Sequence, residues 1–244
     1  MAGSLLHVLM LGGLLASSTA WGAPTALEPV VGSGNTISEE RSVGAFTELH
    51  LATIGTVVLA QGPSPALVAE GEDNILPHLR TRVSDNRLTI DFEPGTYHLT
   101  RPLTLYVTVP EVTLLHLSGS GRLEAAELAA GSLEVGLSGS GAATIGRLSA
   151  SALAVQISGS GAATLAGQTD RQEVTLTGSG QYRAGDLKSQ RASVAVRGSG
   201  AARVWATDAL DVTIIGSGAV EYGGGPNITR SITGSGRLVR VAGD

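Results

Sequence analysis

Val135-Gly136-Leu137-Ser138-Gly139-Ser140-Gly141-Ala142-Ala143-Thr144-Ile145 is followed, twenty residues later, by Val155-Gln156-Ile157-Ser158-Gly159-Ser160-Gly161-Ala162-Ala163-Thr164-Leu165. The two segments are variants of one unit. Gly-Ser-Gly recurs at 119–121, 139–141, 159–161, 178–180, 198–200, 216–218 and 234–236, at intervals of 20, 20, 19, 20, 18 and 18. A near-constant period of this size marks a solenoid. Aligning the copies on their first glycine puts Leu117, Leu137, Ile157, Leu176, Val196, Ile214 and Ile232 in one column. Leu115, Val135, Val155, Val174, Val194, Val212 and then Arg230 make a second. Leu123, Ala143, Ala163, Tyr182, Ala202, Val220 and Leu238 make a third. These columns alternate with polar or small residues at period two, the signature of strands rather than helices.

Each copy therefore reads as a strand, a Gly-Ser-Gly corner, a second strand and a polar turn such as Ala129-Ala130-Gly131-Ser132. A single unit cannot bury its apolar side, so neighbours must stack and share a core. The fold class this dictates is all-β: a right-handed parallel β-helix of about 18–20 residues per coil. Glycine frees the backbone for sharp corners, and the aligned serines (Ser120, Ser140, Ser160, Ser179, Ser199, Ser217, Ser235) would form a hydroxyl ladder of structural value. In the last copy Arg230 breaks its aliphatic column and Arg237 and Arg240 follow. We read the three as a charged stop on the open edge of the column.

Upstream, residues 46–109 contain strand patterns with less regular spacing, at Glu48–Leu51, Thr56–Gln61, Ala66–Glu70, Leu88–Phe92 and Leu103–Val109. Asp73–Leu79 would make a short helical turn limited by Pro77. This part supplies larger N-terminal coils that close one end. Leu5–Ala16 is apolar apart from His7 and precedes Ser17–Ala23, small residues apart from Trp21, the pattern of a cleaved signal peptide, with cleavage after Ala20 or Gly22. The expected organisation is a signal peptide over 1–22, a short linker over 23–34, N-terminal β coils or cap over 35–110 and the Gly-Ser-Gly β-helix over 111–244. The last two form one continuous domain. No later run is apolar enough to span a membrane, so no transmembrane segment is expected in the mature chain, which is placed in the periplasm, on the outer surface or outside the cell.

Composition narrows the chemistry. Among 244 residues there are 34 glycines, no cysteine and 3% aromatics, which excludes disulfides, thiolate metal sites, cysteine nucleophiles and a lipidated cysteine. The net charge of −5 resides in the first 110 residues, and the remainder balances. No basic patch offers a nucleic-acid footprint.

The chain resembles the bacterial head GIN domain family of autotransporter adhesins. The resemblance runs from about Gly32 to Val241. It rests on Gly32-Ser33-Gly34-Asn35 leading to Glu40-Arg41, on Phe46-Thr47-Glu48-Leu49, on Gly71-Glu72-Asp73-Asn74-Ile75-Leu76 and Leu88-Thr89-Ile90, and on the Leu-x-x-Ser-Gly-Ser-Gly repeats. It implies an exported β-helical protein without catalytic residues, and an adhesive role at the cell surface.

No side-chain set commits to a reaction. Gly-Ser-Gly lacks the Gly-Lys-Ser/Thr continuation of a phosphate cradle, and its turns lack the aspartates of calcium-binding β-rolls. Asn227-Ile228-Thr229 is an isolated glycosylation triplet. His50, His78, His98 and His116 share no metal-ligand spacing. The carboxylate pairs Asp91/Glu93, Asp208/Asp211 and Glu124/Glu134 are the places where sugar-cleaving chemistry would sit, but they recur in no stacked column, and solvated surface is the simpler reading. Trp205, Tyr182 and Tyr222 offer either a sugar-stacking platform or core filling. We therefore expect no catalytic, cofactor-binding or metal site. The expected protein is a non-catalytic binding or structural one, with a cell-surface, glycan or envelope protein component as partner and an oligomeric state the sequence leaves open. The alternatives are a polysaccharide-active β-helix enzyme and an envelope-stress or assembly accessory.

Overall fold

The computed structural model describes residues 28–241; the signal-peptide reading falls on residues outside this range. The elements are β1 (Val30–Val31), β2 (Thr36–Arg41), β3 (Glu48–Thr53), β4 (Thr56–Gln61), β5 (Ala66–Glu72), a 3-10 turn (Leu76–His78), β6 (Leu79–Ser84), β7 (Arg87–Phe92), β8 (Tyr97–His98) and β9 (Thr104–Val109). The repeats follow as β10 (Leu114–Gly119), β11 (Arg122–Ala125), β12 (Leu128–Gly139), β13 (Ala142–Gly159), β14 (Ala162–Gly178), β15 (Gln181–Gly198), β16 (Ala201–Gly216), β17 (Ala219–Gly224), β18 (Asn227–Gly234) and β19 (Arg237–Arg240). All but β1 and β8 belong to one seventeen-stranded sheet. From β10 onward every pairing is parallel and joins a residue to its counterpart one coil away, as in Leu137↔Ile157 and Val155↔Val174. This is the stacked parallel β-helix that the period dictates.

The three apolar columns point inward. Leu115, Val135, Val155, Val174, Val194 and Val212 are all buried, as are Leu123, Ala143, Ala163, Tyr182, Ala202 and Val220. The corners work through two glycines with different duties. The first glycine of each motif has positive φ, from +96° at Gly119 to +122° at Gly198. The second sits against the coil below: a Cβ on Gly141 would lie 2.8 Å from the Gly121 carbonyl oxygen. The ladder up the corner is made by the backbone, with Ser140 N–H donating to Gly119 O and Ser160 N–H to Gly139 O, each at 2.9 Å. The expected hydroxyl ladder is replaced by this one, because main-chain donors already fill the coil-to-coil spacing. A second correction concerns Ala129–Ser132. It is extended chain within β12 and not a turn, so each coil has a third paired face.

The N-terminal part closes one end through mixed pairing. β3 and β4 continue the parallel stack below β10 and β11, while β5, β6 and β2 fold back antiparallel onto β9, β7 and β5. The helical turn appears as the 3-10 turn. Here the two quoted motif loops dock on each other. Ser33 N–H donates to Asn74 Oδ1, Asn74 Nδ2 donates to Val31 O, and Gly34 N–H donates to Glu72 Oε1 at 2.8 Å. Glu72 is 1% exposed and also accepts the Thr100 N–H and hydroxyl. The Thr100 hydroxyl, helped by the backbone N–H groups of Gly34, Thr100 and Arg101, holds its pKa down at about 2 against the opposing effect of burial. A Cβ on Gly32 would stand 2.0 Å from Glu72 Oε2, so only glycine lets the loop close over the carboxylate.

At the other end β18 is exposed along its whole length. Arg230 sits beside Val212, Ile228 and Ile232 are 41% and 36% exposed, and Arg240 donates to Gly224 O at 3.0 Å. Among the described residues, no helix is long and apolar enough to cross a membrane.

Candidate functional site

The third face of the coils, the one misread as a turn, carries the most distinctive surface of the column. Parallel register aligns Ala129, Ser149, Gln168, Lys188 and Trp205 in one row. The next row, Ala130, Ala150, Thr169, Ser189 and Ala206, turns inward. Beyond it, Ser151, Asp170, Gln190 and Thr207 again point out. Two outward rows flanking an inward row of small residues make an axial trough. The trough offers about 480 Å³, and across the Ala129/Ser149 row a second hollow of about 370 Å³ is lined by Leu59, Gln61, Ala126, Glu127, Leu128 and Arg147; Ser149 borders both.

Local irregularity concentrates at the trough rims. The Gly-Ser-Gly and following faces keep their register from coil to coil, whereas the shifts fall between Ile145 and Leu148, Thr164 and Gly167, Ala184 and Lys188, and Ser189 and Arg191. The change of period from 20 to 19 to 18 is therefore absorbed here. Gly167 shows how tightly: at φ +123°, any Cβ would stand 2.1 Å from Leu148 O. Bulges of this kind re-aim side chains and gather beside functional surfaces.

A buried polar network lies beneath the floor. Gln172 replaces the aliphatic residue of its column between Leu153 and Ala192 and is fully buried. Its Nε2 donates to Ser189 Oγ at 2.8 Å and to Trp205 O at 3.2 Å, while its Oε1 accepts the Tyr182 hydroxyl at 3.0 Å. Ser189 Oγ donates to Trp205 O at 2.6 Å, and Thr169 Oγ1 to Arg171 O at 3.0 Å. Satisfied networks of this sort fix one arrangement of the strands they join, since a broken one leaves desolvated polar atoms. Burial pushes the Tyr182 phenol well above its ordinary pKa, so it remains a donor. At the upper end the Lys188 ammonium sits 3.3 Å from the centroid of the Trp205 ring, an attractive cation–π contact. The ring also lies against Gly223, where a Cβ would stand 2.4 Å from Trp205 Cε3. At the lower end the Gln61 side-chain amide copies a strand partner, accepting from Ala129 N–H at 2.7 Å and donating to Ala129 O at 2.9 Å.

The carboxylate pairs do not converge. Asp91 is held by Arg80 and Arg82 at 3.0 Å each, and Glu93 contacts His78 at 3.3 Å. Asp208 accepts from Thr207, and Glu134 from Gln156. Tyr182 is core, Trp205 is half-buried beneath Lys188, and Tyr222 packs against the core, so the three make no open platform. Two histidines far apart in sequence do meet: His50 and His116 are register partners with ring centroids 5.3 Å apart. Burial, with Arg87 and His116 nearby, lowers the His50 pKa against the pull of Glu48. No group of three or more metal-ligating side chains gathers among the described residues.

A family model described as "Putative auto-transporter adhesin, head GIN domain" matches residues 45–226. Among curated proteins no relative matches. Several solved structures share the fold. An adhesin-like protein from Bacteroides fragilis has a TM-score of 0.82 at 23% identity, covering 87% of this chain and all of its own. A Parabacteroides distasonis protein described as lipid-binding has a TM-score of 0.71 at 24% identity, covering 88% and 100%. A further adhesin-like protein from Parabacteroides merdae has a TM-score of 0.69 at 19% identity, covering 87% and 99%.

Proposed function

Because this chain belongs to the auto-transporter adhesin head GIN domain family, we propose that it is an exported, non-catalytic β-helical protein that binds a component of the cell surface or envelope through its third-face trough. The observation that carries this reading is the trough itself: outward polar rows on strands that are rigidly paired, bulged only at the rims and pinned from below by Gln172, Tyr182 and Ser189. Extended recognition gains from such pre-organisation, because the backbone that carries these rows needs no ordering on binding. Support for a non-catalytic role comes from the carboxylates: Asp91 is engaged by Arg80 and Arg82, Glu93 by His78 and Asp208 by Thr207, each in a local contact. Export is supported by the apolar Leu5–Ala16 segment and the small residues after it.

The test is retention of envelope fractions by the immobilised mature protein, compared with a Ser149→Trp variant. Ser149 is exposed and stands on the rim shared by the trough and the hollow beside it, so an indole there blocks the surface without touching the core. We expect the parent to retain envelope material and the variant to lose most of it. Equal retention by both would show that binding lies elsewhere on the column.

A further inference from the structure

Resting on the binding role just proposed, we infer that the ligand of the trough is a linear glycan laid along the column axis, with about one sugar ring per coil. The first argument is spacing. Equivalent trough positions recur once per coil, at the spacing of paired strands, about 4.8 Å. A chain of pyranose rings linked through opposite ends advances by nearly that distance per ring, so successive rings stay in step with successive coils. An extended peptide advances only about 3.3 Å per residue and would fall out of phase within two coils.

The second argument is chemistry. The outward rows present Ser149, Ser151, Gln168, Asp170, Lys188 and Gln190. Hydroxyls and amides both donate and accept, the carboxylate accepts and the ammonium donates. That mixture answers a polyhydroxylated ligand, whose every hydroxyl also does both. It offers little to an acyl chain, because Ala130 and Ala150 are the only apolar residues of its lining. Gln190 Nε2 lies 3.4 Å from Asp170 Oδ1, so two of these groups already face each other across adjacent coils. The third argument is alignment. Lys188 is held by the Trp205 ring and Ser189 by Trp205 O, so this coil presents its ammonium in a fixed position along the wall.

The experiment is calorimetric titration of the mature protein with three length-graded series of two to six rings: β-1,4-linked glucose, β-1,4-linked N-acetylglucosamine and 1,4-linked uronate. At least one series should bind with affinity rising about tenfold per ring, as one or two hydrogen bonds are added, and levelling off at about four or five rings. Gln168→Ala and Gln190→Ala should each weaken the longest member about fivefold or more with unchanged melting, and Ser149→Trp should abolish binding. Absence of binding by all three series, affinity independent of length, or full binding by Ser149→Trp would overturn the inference. If Ser149→Trp loses envelope retention while no series binds, the glycan assignment fails and the binding surface stands. If Ser149→Trp retains envelope material, the binding surface itself is wrong.

Discussion

Replacing Gly159 with alanine tests the corner geometry, and replacing Ser160 with alanine supplies its control. Gly159 has φ +111°, and its Cβ would meet Gly139 O at 2.7 Å and Gly139 N at 3.3 Å. The carbonyl cannot retreat freely, since it accepts the Ser160 N–H at 2.9 Å. Two costs combine. Holding an L-residue at such a φ costs about 1–3 kcal/mol. Forcing an extra carbon into a packed site costs about 1–3 kcal/mol more. Taking the middle of each, roughly 4 kcal/mol is lost, and at about 2–4 °C per kcal/mol for a chain of this size the melting temperature should fall by roughly 8–16 °C. The Ser160 hydroxyl is exposed and the corner bonds run through the main chain, so Ser160→Ala should stay within about 0.5 kcal/mol of the parent. Thermal melts by circular dichroism at fixed scan rate decide the matter. If Gly159→Ala melts with the parent, or if Ser160→Ala falls as far, the division of labour assigned to the corner is wrong.

Other perturbations follow from the same geometry. Val155→Asp places a carboxylate in a column where Val155 is 1% exposed, which should cost several kcal/mol and unfold the chain, whereas Thr164→Asp on the outward face should melt normally; equal melting would refute the inside–outside assignment. Glu72 has a folded pKa of about 2, below the ordinary 4.5, so its stabilising effect is complete above about pH 4.5 and is lost as pH falls towards 2. Glu72→Gln should therefore lower the neutral-pH melting temperature and flatten its decline between those limits, and an unchanged acid profile would count against it. The mature protein should begin at Trp21 or Ala23, and N-terminal sequencing that recovers Met1 from the exported fraction would refute that.

How much of this was legible beforehand depends on what repeated. The inward columns show in the sequence because each is occupied by aliphatics at one offset from a glycine marker, and the structure buries them as far as Ile214 and Val220. The third face was hidden for the opposite reason. Ala129, Ser149, Gln168, Lys188 and Trp205 share no residue type, and the bulges beside them change their distance from the glycines, so no column emerges by counting. Gln172 was equally invisible: a polar residue in an apolar column is recognisable only once Tyr182, Ser189 and Trp205 O are seen around it. In the N-terminal cap, the parallel strands matched their apolar patterns. β2, by contrast, has the polar sequence Thr-Ile-Ser-Glu-Glu-Arg and is a strand only because β5 offers it an edge. The meeting of Gly32–Asn35 with Glu72–Asn74 joins segments forty residues apart, which no local rule connects.

The corner ladder has a consequence for how such a molecule can change size. Each Gly-Ser-Gly from 139–141 to 198–200 donates to the corner below and accepts from the corner above. A duplicated coil would thus find both partners ready-made, and neither end of the column would notice it. Lengthening proceeds in whole steps of about 4.8 Å, and each step extends the trough by one equal compartment. The column is in that sense graduated: its number of repeats sets its length in equal divisions.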